Sequence, residues 1–187
     1  DQDDYSLPNR LMRQVKFMDT HPKVVICGSR FQESYYENLI SQRVKFIRTN
    51  AEAKKTISYY NPFAHSALMF RRNDYLKIAG YDSSFLIAMD YDLLIRFMEI
   101  GEVYNIDEVL TVVRIYNDST SMKKSRRKTL EGIEIRYRAY FKFGGNPLLA
   151  GYFFLKSLIG LIMPRWIKNS LLLKVNAENE CRNSPVY

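Results

Sequence analysis

The hydrophobic positions of this chain change period along its length, and the changes mark its elements. The clearest helical pattern follows Asp90 and Asp92, where Leu93, Leu94, Phe97 and Met98 recur at helix spacing and Gly101 supplies the stop. Near the start, Leu11, Val15 and Met18 form one apolar stripe of a helix. Ser6 is placed to cap that helix, Pro8 fits its first turn, and it ends near His21-Pro22 because proline disfavours helix in the residue before it. Residues 23–29 form a continuous apolar run that predicts a buried strand; residues 30–47 are mixed and aromatic, with no clear period. A helix is expected over residues 50–59 with Asn50 near its cap, then a turn at Asn61-Pro62. A strand is expected over residues 65–70, a short helix capped by Asn73 and ended by Gly80, and two further strands over residues 103–106 and 109–115. Residues 121–143 read as a long basic and aromatic helix broken at Gly144-Gly145. The apolar segment 148–163 is shorter than the roughly 20 residues a membrane span needs, so it reads as an interfacial or core helix. Arg165, Trp166 and Lys168 flank it as basic and aromatic residues do at a membrane surface, and the tail from residue 176 is polar.

Composition narrows the chemistry. With 187 residues and 47% hydrophobic content, the chain has enough material for one domain with a substantial core. Its formal net charge is +8, concentrated in Lys123-Lys124-Ser125-Arg126-Arg127-Lys128. Such a run is either a solvated helix face or a patch for polyanions such as anionic lipid or nucleotide diphosphate. No nucleic-acid-binding motif accompanies the charge, so no nucleic acid is expected as partner. Two histidines exclude a His-rich metal site, and two distant cysteines give no disulfide framework, which fits a reducing, cytoplasmic compartment. Cys27, inside an apolar run, reads as a small buried hydrophobe.

Two acidic points carry the candidate chemistry. Asp90 and Asp92 open a helix, where the macrodipole and free N–H groups favour carboxylates. Asp90 is therefore either a helix cap or a fixed general base at the mouth of a cleft. Asp1-Gln2-Asp3-Asp4 precedes the first helix. Its carboxylates repel one another and are stable either solvated in a polar loop or around a hard divalent cation such as magnesium or manganese.

Taken together, these segments resemble the family 2 glycosyltransferases of the GT-A fold. The acidic motif followed by Leu7-Pro8-Asn9-Arg10-Leu11 looks like the family's metal motif and the helix after it. Asn61 through His65 to Arg71 looks like its Asn–His–strand–Arg segment. Gly80-Tyr81-Asp82 with Met89-Asp90-Tyr91-Asp92-Leu93 and Arg96 looks like its acceptor-side motif, and Arg114, Asn117, Ser119 and Ser121 look like its closing strand and loop. The four motifs stand in the family's order and spacing.

The resemblance implies an α/β architecture: a partial GT-A (nucleotide-diphospho-sugar transferase) fold, a mixed sheet flanked by helices with a C-terminal helical extension. Residues 1–121 would form the C-terminal part of the transferase domain, 122–175 a helical extension able to contact a membrane, and 176–187 a polar tail. The activity implied is inverting sugar transfer from a nucleotide-sugar donor, a UDP-sugar above all, to a hydroxyl of a glycan or lipid-linked glycan, at the cytoplasmic face of a membrane. Asp90 would be the base. Asp3, assisted by Asp1, would hold manganese or magnesium, and Asp4, His65, Arg71, Asp92 and Arg114 would line the donor and acceptor site. Neither role needs a nucleophilic Ser or Cys.

The chain departs from the family pattern in three ways. Met89 stands where the family usually has Glu, and Tyr116 where it often has His. The nucleotide-binding half that precedes the acidic motif in the family has no counterpart here, so the chain is expected to be the acceptor-side part of such an enzyme. The competing reading is a non-catalytic module for anionic membrane surfaces.

Overall fold

The computed structural model describes residues 3–35, 38–40, 46–115 and 126–162. Asp1, Tyr116, Asn117, Ser119, Ser121, Lys123, Lys124, Ser125, Arg165, Trp166, Lys168, Cys181 and the polar tail lie outside the described residues.

The elements run β1 (Tyr5–Ser6), α1 (Arg10–Thr20), β2 (Val24–Tyr35), β3 (Asn38–Ile40), α2 (Asn50–Thr56), a 3-10 turn (His65–Ala67), β4 (Met69–Phe70), α3 (Arg72–Lys77), α4 (Met89–Ile100), β5 (Glu102–Ile115), α5 (Arg126–Phe143) and α6 (Pro147–Ile162). The sheet is mixed, in the order β1-β5-β2-β3, with β4 also paired to β2. Its spine is the long parallel pair β2–β5; the remaining pairings are antiparallel. This is the α/β arrangement expected of a partial nucleotide-sugar transferase fold.

Two apolar clusters cover opposite faces of that spine, as the pleat dictates when Val103 and Tyr104 point opposite ways. On one face α4 packs Leu93, Leu94 and Phe97, all fully buried, against Val25, Ile26 and Val103; Ile57 and the α5 residues Ile135 and Ala139 complete the cluster. Each of those large α4 side chains contributes about 1.5–3 kcal/mol by leaving water. On the other face α1 lays Met18 and Phe17 over Val24, Cys27 and Tyr104. Burial pushes the Cys27 thiol up to about 12, so it sits there as an inert apolar group.

Several elements differ from the sequence expectation for identifiable reasons. Leu11 and Val15 are 65% and 48% exposed; the inward face of α1 is Arg10, Gln14, Phe17 and Met18. The helix is turned this way because the buried Gln14 amide donates to the Ala67 carbonyl at 2.8 Å, while Phe17 stacks on His21 at 4.1 Å. Asn9, not Ser6, precedes the helix, and Ser6 instead accepts from Arg10. Residues 65–70 form a 3-10 turn and a two-residue strand rather than one strand. The helix after it begins at Arg72, with Arg71 rather than Asn73 at its cap position. The two strands expected after Gly101 are one, β5. Ile106 pairs with Ser29 and Val109 with Arg30, so Asp107 and Glu108 bulge out without ending the strand. Arg30 holds Asp107 and Arg13 holds Glu108 at 2.6 Å, which explains how two adjacent acids sit mid-strand. The helix at residue 50 is capped by a reciprocal Thr49–Glu52 capping box.

Candidate functional site

The site is built around the start of α4. That helix ends at Gly101 and β5 starts at Glu102, so α4 runs back along β5 and its N-terminus lies toward the carboxyl ends of the parallel pair. In open α/β sheets this is the end at which ligands bind. Strand β1, next to the acidic motif, pairs Tyr5 with Val112 and Ser6 with Thr111, also toward the carboxyl end of β5.

Asp90 lies in the first turn of α4, half-buried, one residue inside the helix rather than at its cap, which is Ala88. The Asn61 Nδ2 donates to Asp90 Oδ2 at 3.0 Å, and Asn61 Oδ1 accepts the Phe63 N–H at 3.0 Å, so the amide is fixed at both ends. His65 Nε2 lies 2.8 Å from the Tyr81 hydroxyl. Burial pushes the Asp90 carboxyl above the ordinary carboxylate range; the His65 charge, the N–H groups of the first turn and Asn61 pull it back only in part. Burial, together with Tyr75 and Asp90, also raises the Tyr81 phenol. The result is a positioned carboxylate with raised proton affinity beside an imidazole and a phenol, the requirement for accepting a proton from a weakly acidic hydroxyl.

The turn that presents Tyr81 needs Gly80. Its φ is +67°, and a Cβ there would stand 2.7 Å from the Tyr75 hydroxyl. Arg96 then ties the turn to α4: it donates to the carbonyls of Ile78 and Gly80 and, through Nε, to Asp92 Oδ2 at 2.7 Å. Asp92 is 3% exposed and also faces Arg138 of α5 at 3.6 Å. Its carboxylate therefore holds helices together rather than joining the Asp90 group.

The other predicted site residues divide similarly. Arg71 donates to the Val24 and Met18 carbonyls, clamping β2 to the end of α1. Asp4 Oδ1 accepts the Arg114 backbone N–H at 2.8 Å, and the Arg114 guanidinium lies 3.9 Å over the Tyr5 ring, so these two secure the β1–β5 edge. The structure thus brings together Asp90 and His65, with Asn61 and Tyr81. The acidic motif connects to that group through α1, whose Arg10 and Gln14 donate to the Leu68 and Ala67 carbonyls just after His65.

Asp3 is exposed, and no group of three or more His, Cys, Asp or Glu that could hold a metal ion occurs among the described residues. With one Asp4 carboxylate oxygen engaged by the Arg114 N–H, the described part of the motif supplies no complete ligand set.

Glu131 of α5 is a residue the sequence reading missed. Its carboxylate accepts the N–H groups of Leu86, Ile87 and Ala88 at 2.9–3.1 Å, capping the approach to α4 from another element. A glutamate in a basic helix gives no sequence signal for that job. Asn61 had a signal, its place in an Asn–Pro turn, but its bond to Asp90 spans 29 positions and is visible only in three dimensions.

The chain is 33% identical over 170 residues to the O-antigen biosynthesis glycosyltransferase WbnJ of Escherichia coli, covering 85% of this chain and 63% of that protein. It is 26% identical over 166 residues to the amylovoran biosynthesis glycosyltransferase AmsE of Erwinia amylovora, covering 87% and 61%. These relatives are glycosyltransferases. A further one, at 23% identity over 141 residues, is the UDP-Gal:alpha-D-GlcNAc-diphosphoundecaprenol beta-1,3-galactosyltransferase of Escherichia coli, covering 75% and 51%. The chain spans between about half and two thirds of the length of these glycosyltransferases. No family model matches it.

Proposed function

We propose that this chain is the acceptor-side part of a family 2, inverting glycosyltransferase, and that Asp90 is its base. The observation that carries the reading is the environment of Asp90: a half-buried carboxylate of raised proton affinity, oriented by Asn61, beside His65 and Tyr81. In the reaction, the acceptor hydroxyl gives its proton to an Asp90 carboxylate oxygen as its own oxygen bonds to the anomeric carbon from the face opposite the leaving group. The bond from that carbon to the nucleotide diphosphate breaks, and its electron pair departs with the diphosphate. Attack opposite the leaving group inverts the centre.

The names of the relatives support a nucleotide-sugar donor, UDP-linked in one of them, and a surface-polysaccharide or lipid-linked acceptor. Asp3 and Asp1 would hold a manganese or magnesium ion, which would neutralise charge on the departing diphosphate. Contact with the cytoplasmic face of a membrane is supported by α6, most of whose apolar side chains are exposed, and by the basic start of α5. No helix among the described residues is long and apolar enough to cross a membrane.

The test is Asp90→Asn in the complete protein. Transfer is expected to fall by about 10²–10⁴-fold. Stability at pH 7 is expected to hold or rise, because a carboxylate with a raised pKa is destabilised by ionising in the folded state. Turnover within threefold of the parent protein would overturn the assignment.

A further inference from the structure

Helices α5 and α6 border a half-open cavity of about 300 Å³ walled by Ile133, Tyr140, Phe153 and Phe154, with Gly151 at its edge. That volume is at the lower end for small-molecule sites, which are mostly apolar with a few placed polar groups. Besides its tyrosines, this one is lined by Arg136 and Ser58. Arg136 is half-buried, donates to Ser157 Oγ at 2.7 Å, and has no carboxylate paired with it among the described residues. Ser58 is 2% exposed, and its hydroxyl has no hydrogen-bond partner among them. A half-buried cation with no carboxylate beside it attracts an anion, and a buried hydroxyl without a partner is costly unless a ligand satisfies it. Burial lowers the Arg136 pKa. Outside the cavity, Leu148, Tyr152, Leu155, Ile159 and Ile162 form a continuous exposed stripe along α6. A helix this apolar on its open side needs a hydrophobic covering.

We propose that the α5–α6 cavity binds the head end of an anionic lipid carrier: a linear hydrocarbon chain bearing a phosphate, with the chain against Phe153 and Phe154, the phosphate on Arg136, and the rest of the chain running out along the α6 stripe. This rests on the glycosyltransferase reading, in which the acceptor sugar is delivered on such a carrier. The choice of an anionic amphiphile over a neutral one follows from charge complementarity with Arg136, and the choice of a chain over a compact ligand from the continuity of cavity and stripe.

The test is calorimetric titration of the complete protein with farnesyl phosphate, farnesol and inorganic phosphate, without any sugar donor. Farnesyl phosphate is expected to bind one per chain, at least tenfold more tightly than farnesol, with no heat from phosphate alone. Gly151→Phe adds a ring at the edge of the cavity, where a Cβ meets nothing within 4 Å. It is expected to weaken farnesyl phosphate at least tenfold, and Ala150→Leu on the same wall serves as a second filling variant. Arg136→Gln should bring farnesyl phosphate down to the affinity of farnesol and leave farnesol unchanged. The proposal is overturned if either filling variant, folded by circular dichroism, binds like the parent. It is equally overturned if Arg136→Gln weakens both ligands alike, or if phosphatidylglycerol vesicles bind while farnesyl phosphate does not. Because no turnover is measured, these outcomes are independent of whether Asp90→Asn abolishes transfer.

Discussion

Replacing Glu131 by Gln isolates one charge that joins α5 to the approach of the candidate site. The carboxylate is 7% exposed, accepts three consecutive backbone N–H groups, and takes a fourth bond from Arg127 Nε at 2.7 Å. Burial alone would raise its pKa; Arg127 and the three N–H groups outweigh that and hold it at about 2, against an ordinary 4.5. A displacement of that size corresponds to about 3 kcal/mol at neutral pH. Arg127 is 54% exposed, so solvent screens its share and about 2 kcal/mol is the better figure. The sign follows from the direction: a carboxyl lowered on folding stabilises above its unfolded pKa and loses that contribution as pH falls from about 4.5 toward 2. Gln keeps the shape and one acceptor but not the charge. Urea unfolding at pH 7 should therefore separate parent and variant by about 2 kcal/mol, and at pH 3 the separation should shrink to less than half. A gap under about 0.5 kcal/mol at pH 7, within the range of an ordinary surface substitution, would refute the reasoning. So would a gap that ignores pH.

Three other substitutions probe the frame and the site. Asn61→Leu removes the donor to ionised Asp90, so the Asp90 pKa should rise further and the acid limb of the pH–rate profile should move to higher pH; an unmoved limb would separate Asn61 from the base. Gly28→Ala places a Cβ 2.2 Å from Asn105 Oδ1, and the Asn105 amide cannot swing aside because it donates to the Ile47 and Pro62 carbonyls. Thermal unfolding should show a loss of about 1–3 kcal/mol, and a variant as stable as the parent would mean that this packing yields. Arg71→Met should cost about 1–3 kcal/mol by orphaning two backbone carbonyls, read by urea unfolding. A changed donor or acceptor KM at full stability would instead make Arg71 a site residue.

Much of the frame was legible because it depends on local pattern. The spacing of Leu93, Leu94, Phe97 and Met98 against Gly101 placed α4 and its end, and the apolar run before Ser29 placed the start of β2. Pattern failed where a long-range partner overrode it. Hydrophobicity pointed Leu11 and Val15 inward, but a buried glutamine with carbonyl partners turned α1 by about one residue. Two strands were expected on either side of Asp107 and Glu108, but Arg30 and Arg13, from β2 and α1, hold those acids and the strand runs through them.

The same logic separates Asp90 from Asp92, which the sequence offers as equivalents at the head of one helix. Two residues apart on a helix, their side chains lie roughly 200° apart around its axis, so one cannot share the other's surroundings. Asp92 points where Arg96 and Arg138 converge, and a carboxylate between two guanidinium groups is occupied by them. Asp90 points to the opposite side, where its partners are the neutral Asn61 amide and N–H groups of the first turn and burial is the leading influence on its pKa. A base must be free to take a proton, and only the carboxylate without a guanidinium partner retains that freedom. Removing the ion pair at Asp92 should therefore be felt first as lost packing of α4 against α5, whereas the Asp90 substitution should be felt first in turnover; if the two variants lost activity in the reverse pattern, the assignment of roles within this helix would be wrong.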